Sequence, residues 1–125
     1  GYIEFGYAAS QKLPMATLEN KTGKYVAANT ASGQAALTGV SFSPELVGWA
    51  PDPEGEQAYP IVTYTWLILY KEYKDPKKLE ALRGLLKFAL TDGQKDAEQL
   101  GYIPLPQSTV DKVTAALESV KASSS

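Results

Sequence analysis

The chain contains no cysteine and no histidine. Without thiols it forms no disulfide and has no cysteine nucleophile; without imidazole it has no histidine-based triad. The two absences together remove nearly all zinc and copper coordination. Any chemistry falls to carboxylates, hydroxyls, amides or the backbone. A cysteine-free sequence suits the oxidising periplasm and the reducing cytosol equally, so it selects no compartment. Positive charge is not in excess, with 12 Lys and Arg against 14 Asp and Glu and a formal net charge of -2. That balance argues against nucleic acid as a partner, because phosphate backbones require a basic surface. Long apolar runs are also lacking. The longest, Ile61 to Tyr70, includes two threonines and is about half of the roughly 20 residues a membrane-spanning helix needs. No glycine-rich phosphate cradle is present, and neither Ser-x-x-Lys nor Gly-x-Ser-x-Gly occurs, so the hydroxyls have no activating apparatus and an enzyme is not expected. The sequence opens at Gly1 with neither methionine nor a basic-then-apolar leader; the expectation is an internal start, any secretion signal having been removed or never attached.

What is present fits one soluble domain: 125 residues, 44% hydrophobic and 21% charged. Gly1 to Tyr7 alternates loosely between larger apolar residues and others, which predicts a short glycine-bounded strand, and Ala8 to Leu13 predicts a short helix stopped by Pro14. Met15 to Glu19 and Lys24 to Ala27 flank Asn20-Lys21-Thr22-Gly23, a turn-forming cluster that predicts a hairpin. Asn29 or Thr30 can cap a helix through Ala31 to Leu37. Ser41 to Pro60, with four prolines and two glycines, predicts a long irregular segment.

Ile61-Val62-Thr63-Tyr64-Thr65-Trp66-Leu67-Ile68-Leu69-Tyr70 carries the strongest strand signal. Val62, Tyr64, Trp66 and Ile68 fall on one face and Ile61, Leu67 and Leu69 on the other, so both faces have something to bury, as in the middle of an α/β sheet. The rest of the chain offers little sheet to surround it. Asp75-Pro76 is a strong helix start, followed by Leu79, Leu82, Leu86 and Phe88 to Leu90 near one face. Thr91 or Asp92 can cap a second helix carrying Ala97 and Leu100 and ended by Gly101. After Pro104 and Pro106, Val110, Val113, Leu117 and Val120 mark a last amphipathic helix, with residues 123–125 as a frayed tail.

Individual residues favour structural roles. Asn20-Lys21-Thr22 matches a glycosylation acceptor but is explained by the turn. Glu54 and Glu56 lack the alternating-oxygen spacing of a calcium site and read as a solvated loop. Lys71, Lys74, Lys77 and Lys78 interleave with Glu72, Asp75 and Glu80, as at an exposed helix entrance; docking to a transporter is the functional counterpart. Tyr2, Tyr7, Tyr64, Tyr70 and Tyr102 are expected to bury their rings and leave their hydroxyls at the surface.

Four stretches in order resemble the C-terminal region of the periplasmic phosphate-binding proteins that serve phosphate ABC transporters. They are Gly1-Tyr2-Ile3-Glu4-Phe5-Gly6-Tyr7-Ala8; the hairpin ending Gly23-Lys24-Tyr25-Val26; Tyr59 through Lys71; and Leu86 through Gln94, followed by Gly101-Tyr102-Ile103-Pro104-Leu105-Pro106. The resemblance implies an α/β fold, the C-terminal portion of a type II two-lobed binding protein with a mixed sheet and flanking helices. Residues 1–58 would end the second lobe, with the hairpin and crossover; residues 59–122 would complete the first; residues 123–125 would be a flexible tail. In that family the lobes close over one phosphate ion held by backbone N–H groups, hydroxyls, an arginine and an aspartate that accepts a proton from the ligand. A carboxylate facing a fully ionised oxyanion would leave like charges buried, so phosphate is favoured over sulfate. The gripping residues, including a Ser-Gly-Thr segment, are expected upstream of Gly1. This sequence has no Ser-Gly-Thr, and its one arginine is Arg83, so no catalytic, metal or ligand residue is assigned and no cofactor is called for. The implied partners are inorganic phosphate, the N-terminal portion of the same protein and the transporter permease. The implied location is periplasmic or secreted, tethered to a membrane, if at all, through the N-terminal portion. Alone, the chain is expected to fold poorly or self-associate. A non-catalytic interaction domain reusing this segment is the alternative, and a hydrolase or phosphatase is disfavoured by the missing His, Cys and arginine clamp.

Overall fold

A computed structural model describes residues 1–123. The predicted opening strand is not formed. Residues 1–4 are exposed and lead into helix α1 (Phe5–Ser10), where the Ala8 N–H donates to the Glu4 carbonyl at 3.1 Å. The alternation of Tyr2, Ile3, Phe5 and Tyr7 mimics a strand, but no neighbouring strand pairs with it among the described residues. Local i to i+4 bonds form instead and place Ala8, 2% exposed, inward. The helix therefore starts before the predicted Ala8, and it ends at Ser10, with Lys12 at φ 53° turning the chain ahead of Pro14.

The hairpin forms as its turn residues require. Strands β1 (Thr17–Glu19) and β2 (Tyr25–Ala27) pair antiparallel with Leu18 opposite Val26, and Gly23 takes φ 77°, a region costly to residues with a Cβ. Asn20, 5% exposed, does more than turn the chain. Its Oδ1 accepts from the Thr22 N–H, the Thr22 hydroxyl and the Lys24 N–H. Its Nδ2 donates to the carbonyls of Gly55, Glu56 and Ala58, stapling the irregular segment onto the hairpin. Helix α2 (Thr30–Thr38) begins with a reciprocal capping box, Asn29 Oδ1 accepting from the Ser32 N–H and Ser32 Oγ accepting from the Asn29 N–H.

Residues 39–60 are irregular, as their prolines dictate. The next segment departs furthest from expectation. Residues 61–70 form no ladder: no backbone–backbone hydrogen bond involves residues 61–69 among the described residues. The sheet elements are instead two separate two-stranded pairs, so the predicted mixed sheet around this segment is absent. The second pair is parallel, β3 (Glu72–Tyr73) beside β4 (Lys121–Ala122). The connection between them runs through α3 (Pro76–Leu90), the single turn α4 (Gln94–Ala97) and α5 (Gln107–Ser119). Helix α3 starts as predicted, Asp75 Oδ1 accepting from the Lys77 and Lys78 N–H groups with Pro76 in the first turn. The predicted second helix shortens to α4, with Gly93 at its N-cap in place of Thr91 or Asp92, while Leu100 is left 69% exposed in a following turn. The Ser123 N–H donates to the Tyr73 carbonyl at 2.8 Å; the rest of the expected tail, residues 124 and 125, lies outside the described residues.

Packing is thin for a chain so rich in apolar residues. Of the eight buried apolar side chains, three are alanines, and no large side chain is fully buried among the described residues. The accessible surface is 9217 Å², against roughly 6,500 Å² for a folded monomer of this size.

Candidate functional site

The uncovered surface centres on residues 61–70. Exposure alternates along the first half of this ribbon, with Val62 and Tyr64 half-buried and Ile61, Thr63 and Thr65 exposed, the period expected of an extended chain lying on a support. The support is aromatic. The Tyr64 ring lies 5.2 Å from Phe42 and 6.3 Å from Trp66, and Trp66 lies 5.9 Å from Trp49. Trp66 Nε1 donates to the Leu46 carbonyl at 2.8 Å. The Tyr64 hydroxyl donates to the Leu37 carbonyl at 3.0 Å and sits 3.2 Å from Thr109 Oγ1, joining the end of α2 to the start of α5. Burial raises the Tyr64 pKa above its ordinary value, while the Thr109 contact opposes the shift.

Beyond Trp66 the ribbon loses its cover. Leu67 is 74% and Ile68 96% exposed. Beside it runs an apolar groove of about 750 Å³, bounded by Tyr64, Trp66 and Leu69 on one side and by Leu86, Leu90 and Val113 on the helices. Helix α3 buries Leu79 but leaves Leu85 and Phe88 exposed on another face. An apolar strip with free backbone edges is suited to adding strands from another segment and burying side chains against it.

Several polar groups are engaged within the chain. Arg83 reaches across to α5, where its Nη2 donates to the carbonyls of Glu118 and Val120. It therefore neutralises the negative end of that helix. The N-termini of α2 and α3 are occupied by their own caps. No group of three His, Cys, Asp or Glu residues suited to a metal occurs among the described residues. Glu54 is paired with Lys21 at 3.0 Å, whose hydrogen bond holds the Glu54 carboxyl below its usual range; both groups face solvent. Lys71, Lys74, Lys77 and Lys78 are exposed. Four of the five singled-out tyrosines, Tyr2, Tyr7, Tyr70 and Tyr102, are exposed rather than packed; Tyr64 alone packs its ring, half-buried beside Phe42 and Trp66, and its hydroxyl turns inward to Leu37 and Thr109 instead of staying at the surface. Asn20 is buried and fully hydrogen-bonded, so the glycosylation reading falls. Sequence reasoning did not anticipate the Phe42–Tyr64–Trp66–Trp49 ledge, whose members come from segments without regular structure.

No protein-family model matches the chain. Curated relatives do. It is 34% identical to the phosphate-binding protein PstS of Methanocaldococcus jannaschii over an alignment of 133 residues, which takes in 96% of this chain and 34% of that protein. It is 29% identical to the PstS of Pasteurella multocida over 92% of this chain, and 31% identical to that of Xylella fastidiosa strain 9a5c over 92%. The chain is PstS-like. It spans about a third of the length of the curated relatives it matches. In this PstS-like chain, no helix of the described residues is long and apolar enough to cross a membrane.

Proposed function

We propose that the chain is the C-terminal portion of a two-lobed, type II receptor that captures inorganic phosphate and delivers it to the permease of an ABC transporter, without catalysis. The observation that carries this reading is the likeness to phosphate-binding proteins across 96% of the chain. The uncovered ribbon supports it physically. In this reading residues 61–70 are an interior strand of the first lobe, and the N-terminal portion of the same polypeptide supplies the neighbouring strands and fills the apolar groove. Residues 1–58 end the second lobe and residues 59–122 complete the first. The anion-gripping groups lie in the N-terminal portion, consistent with Arg83 and the N-termini of α2 and α3 being engaged with the chain itself. The location is periplasmic or secreted, with any membrane tether on the N-terminal portion.

A ligand that binds only the native state raises its stability by RT ln(1 + [L]/Kd), about 2.7 kcal/mol at a hundredfold excess over Kd. The complete polypeptide is therefore expected to melt at a higher temperature in phosphate than in an equal concentration of chloride; identical melting in the two counts decisively against the reading. The alternative, a free-standing interaction domain, requires this chain alone to be a stable monomer with a phosphate-independent partner. The excess exposed surface favours the first reading.

A further inference from the structure

We propose that residues 61–67 form an interface with a second copy of this chain, the two ribbons running antiparallel about a two-fold axis between their Tyr64 residues. This inference stands apart from the two-lobe reading, because it concerns the chain without an N-terminal portion. The ribbon's edges are free. Thr63 Oγ1, which donates to the Tyr64 carbonyl at 3.2 Å, is the sole partner of any main-chain group from 61 to 69 among the described residues. Neither a charge nor a proline lies between Ile61 and Tyr70, so the devices that ordinarily blunt a strand edge are missing. There is also surface to spare. The accessible area of 9217 Å² exceeds the roughly 6,500 Å² of a folded monomer by far more than the ~800 Å² that one partner contributes to a standard interface.

The period of two sets length and register. Val62 and Tyr64 lean half-buried on the support, with Trp66, 38% exposed, in the same phase, while Ile61, Thr63, Thr65 and Leu67 are exposed in the other. The alternation breaks at Ile68, which falls in the inner phase yet is 96% exposed, while Leu69 is half-buried. Pro60, which has no N–H, bounds the other end. The regular stretch is therefore 61–67, and its middle residue is Tyr64. A two-fold pair centred there sets Ile61 opposite Leu67, Thr63 opposite Thr65 and Val62 opposite Trp66. These are aliphatic, hydroxyl and β-branched–aromatic pairs, combinations that stabilise neighbouring strands. A shift of two residues either way sets a threonine against Leu67 or Ile61. Beyond the ladder, Ile68 lies against Pro60 of the second copy. Stacking by translation is closed off by size. The support under each ribbon includes α2 and α5, joined through the Tyr64 hydroxyl, and helices about 10 Å across cannot repeat at the ~4.8 Å spacing of strands. A two-fold axis sets the two supports on opposite sides and closes the assembly at two chains.

Because the chain has no cysteine, single cysteines report the pairing directly. Thr63→Cys and Thr65→Cys, both at exposed positions, are prepared separately, mixed in equal amounts and oxidised. Opposed Cα atoms in either kind of antiparallel pair lie within disulfide reach. Random collision would give mixed and like disulfides in equal amounts, whereas the proposed register should favour the mixed product by about fivefold or more. Sedimentation velocity of the unmodified chain should show a dimer. A monomeric parent, or one that polymerises without limit, overturns the interface. So does the absence of disulfide, or a predominance of like disulfides, which marks parallel or shifted pairing. In the complete polypeptide the mixed disulfide should drop to the level of random collision, since its own strands occupy the edges. Persistence there counts against the two-lobe reading and leaves the pairing intact.

Discussion

At the scale of single residues, the structure assigns most weight to two polar side chains that sequence motifs undervalue. Asn20 satisfies groups on both the hairpin and the irregular segment, so Asn20→Ala leaves several partly buried backbone groups unpaired. The expected loss is about 2 kcal/mol by denaturant unfolding of the complete polypeptide. Asn20→Asp should cost more, because a second carboxylate oxygen would face the carbonyls of Gly55, Glu56 and Ala58. Tyr64 gives a pH prediction. Its folded-state pKa is raised, chiefly by burial, so its contribution is fully present below the ordinary tyrosine value near 10 and is lost as pH rises through the higher folded value. The phenolate can no longer donate to the Leu37 carbonyl. Tyr64→Phe should cost about 1 kcal/mol at neutral pH and flatten that alkaline loss, read as the difference between melting temperatures from pH 8 to about 11. Equal alkaline slopes in the two proteins would refute the assignment.

At the scale of elements, the starts of α2 and α3 were legible because capping is local, while those of α1 and α4, which lack a side-chain cap, were not. Asp75-Pro76 and Asn29 stand next to the N–H groups they serve, and both helices begin where those residues place them. Asp75→Ala is expected to destabilise the complete polypeptide by about 1 kcal/mol. Hydrogen exchange should quicken at Lys77 and Lys78 while protection at Leu86 is retained. Strands were less legible. The hairpin formed because its partner strand lies a turn away, whereas residues 1–7 and 61–70 carry strand-like sequences without a neighbour to complete the ladder. In the first case local helix bonds won; in the second, the aromatic ledge holds the chain extended with its edges free.

For the whole molecule, the decisive quantity is the exposed area, and it gives a test in which one substitution acts with opposite signs. Ile68 is 96% exposed in this chain but becomes interior once the first lobe is complete in the proposed reading. Ile68→Lys should reduce self-association of the isolated chain, seen in sedimentation velocity. In the complete polypeptide the same change should destabilise by roughly 3 kcal/mol, as burying an unpaired charge demands. A neutral effect there would place Ile68 at the surface and remove residues 61–70 from the interior. The isolated chain itself is expected to self-associate and to lack a cooperative thermal transition; a stable monomer would contradict the proposed assembly.

The amino-acid order alone determined the hairpin turn, the starts of α2 and α3, the amphipathic α5 and the likeness to phosphate-binding proteins, because each resides in residues close together in the chain or in their linear succession. Only the folded arrangement decided that Arg83 serves the end of α5, that Asn20 binds a distant loop, and that aromatic side chains from irregular segments carry the 61–70 ribbon. Those outcomes depend on which distant groups compete for the same space and the same hydrogen bonds, and local propensity contains no record of that competition.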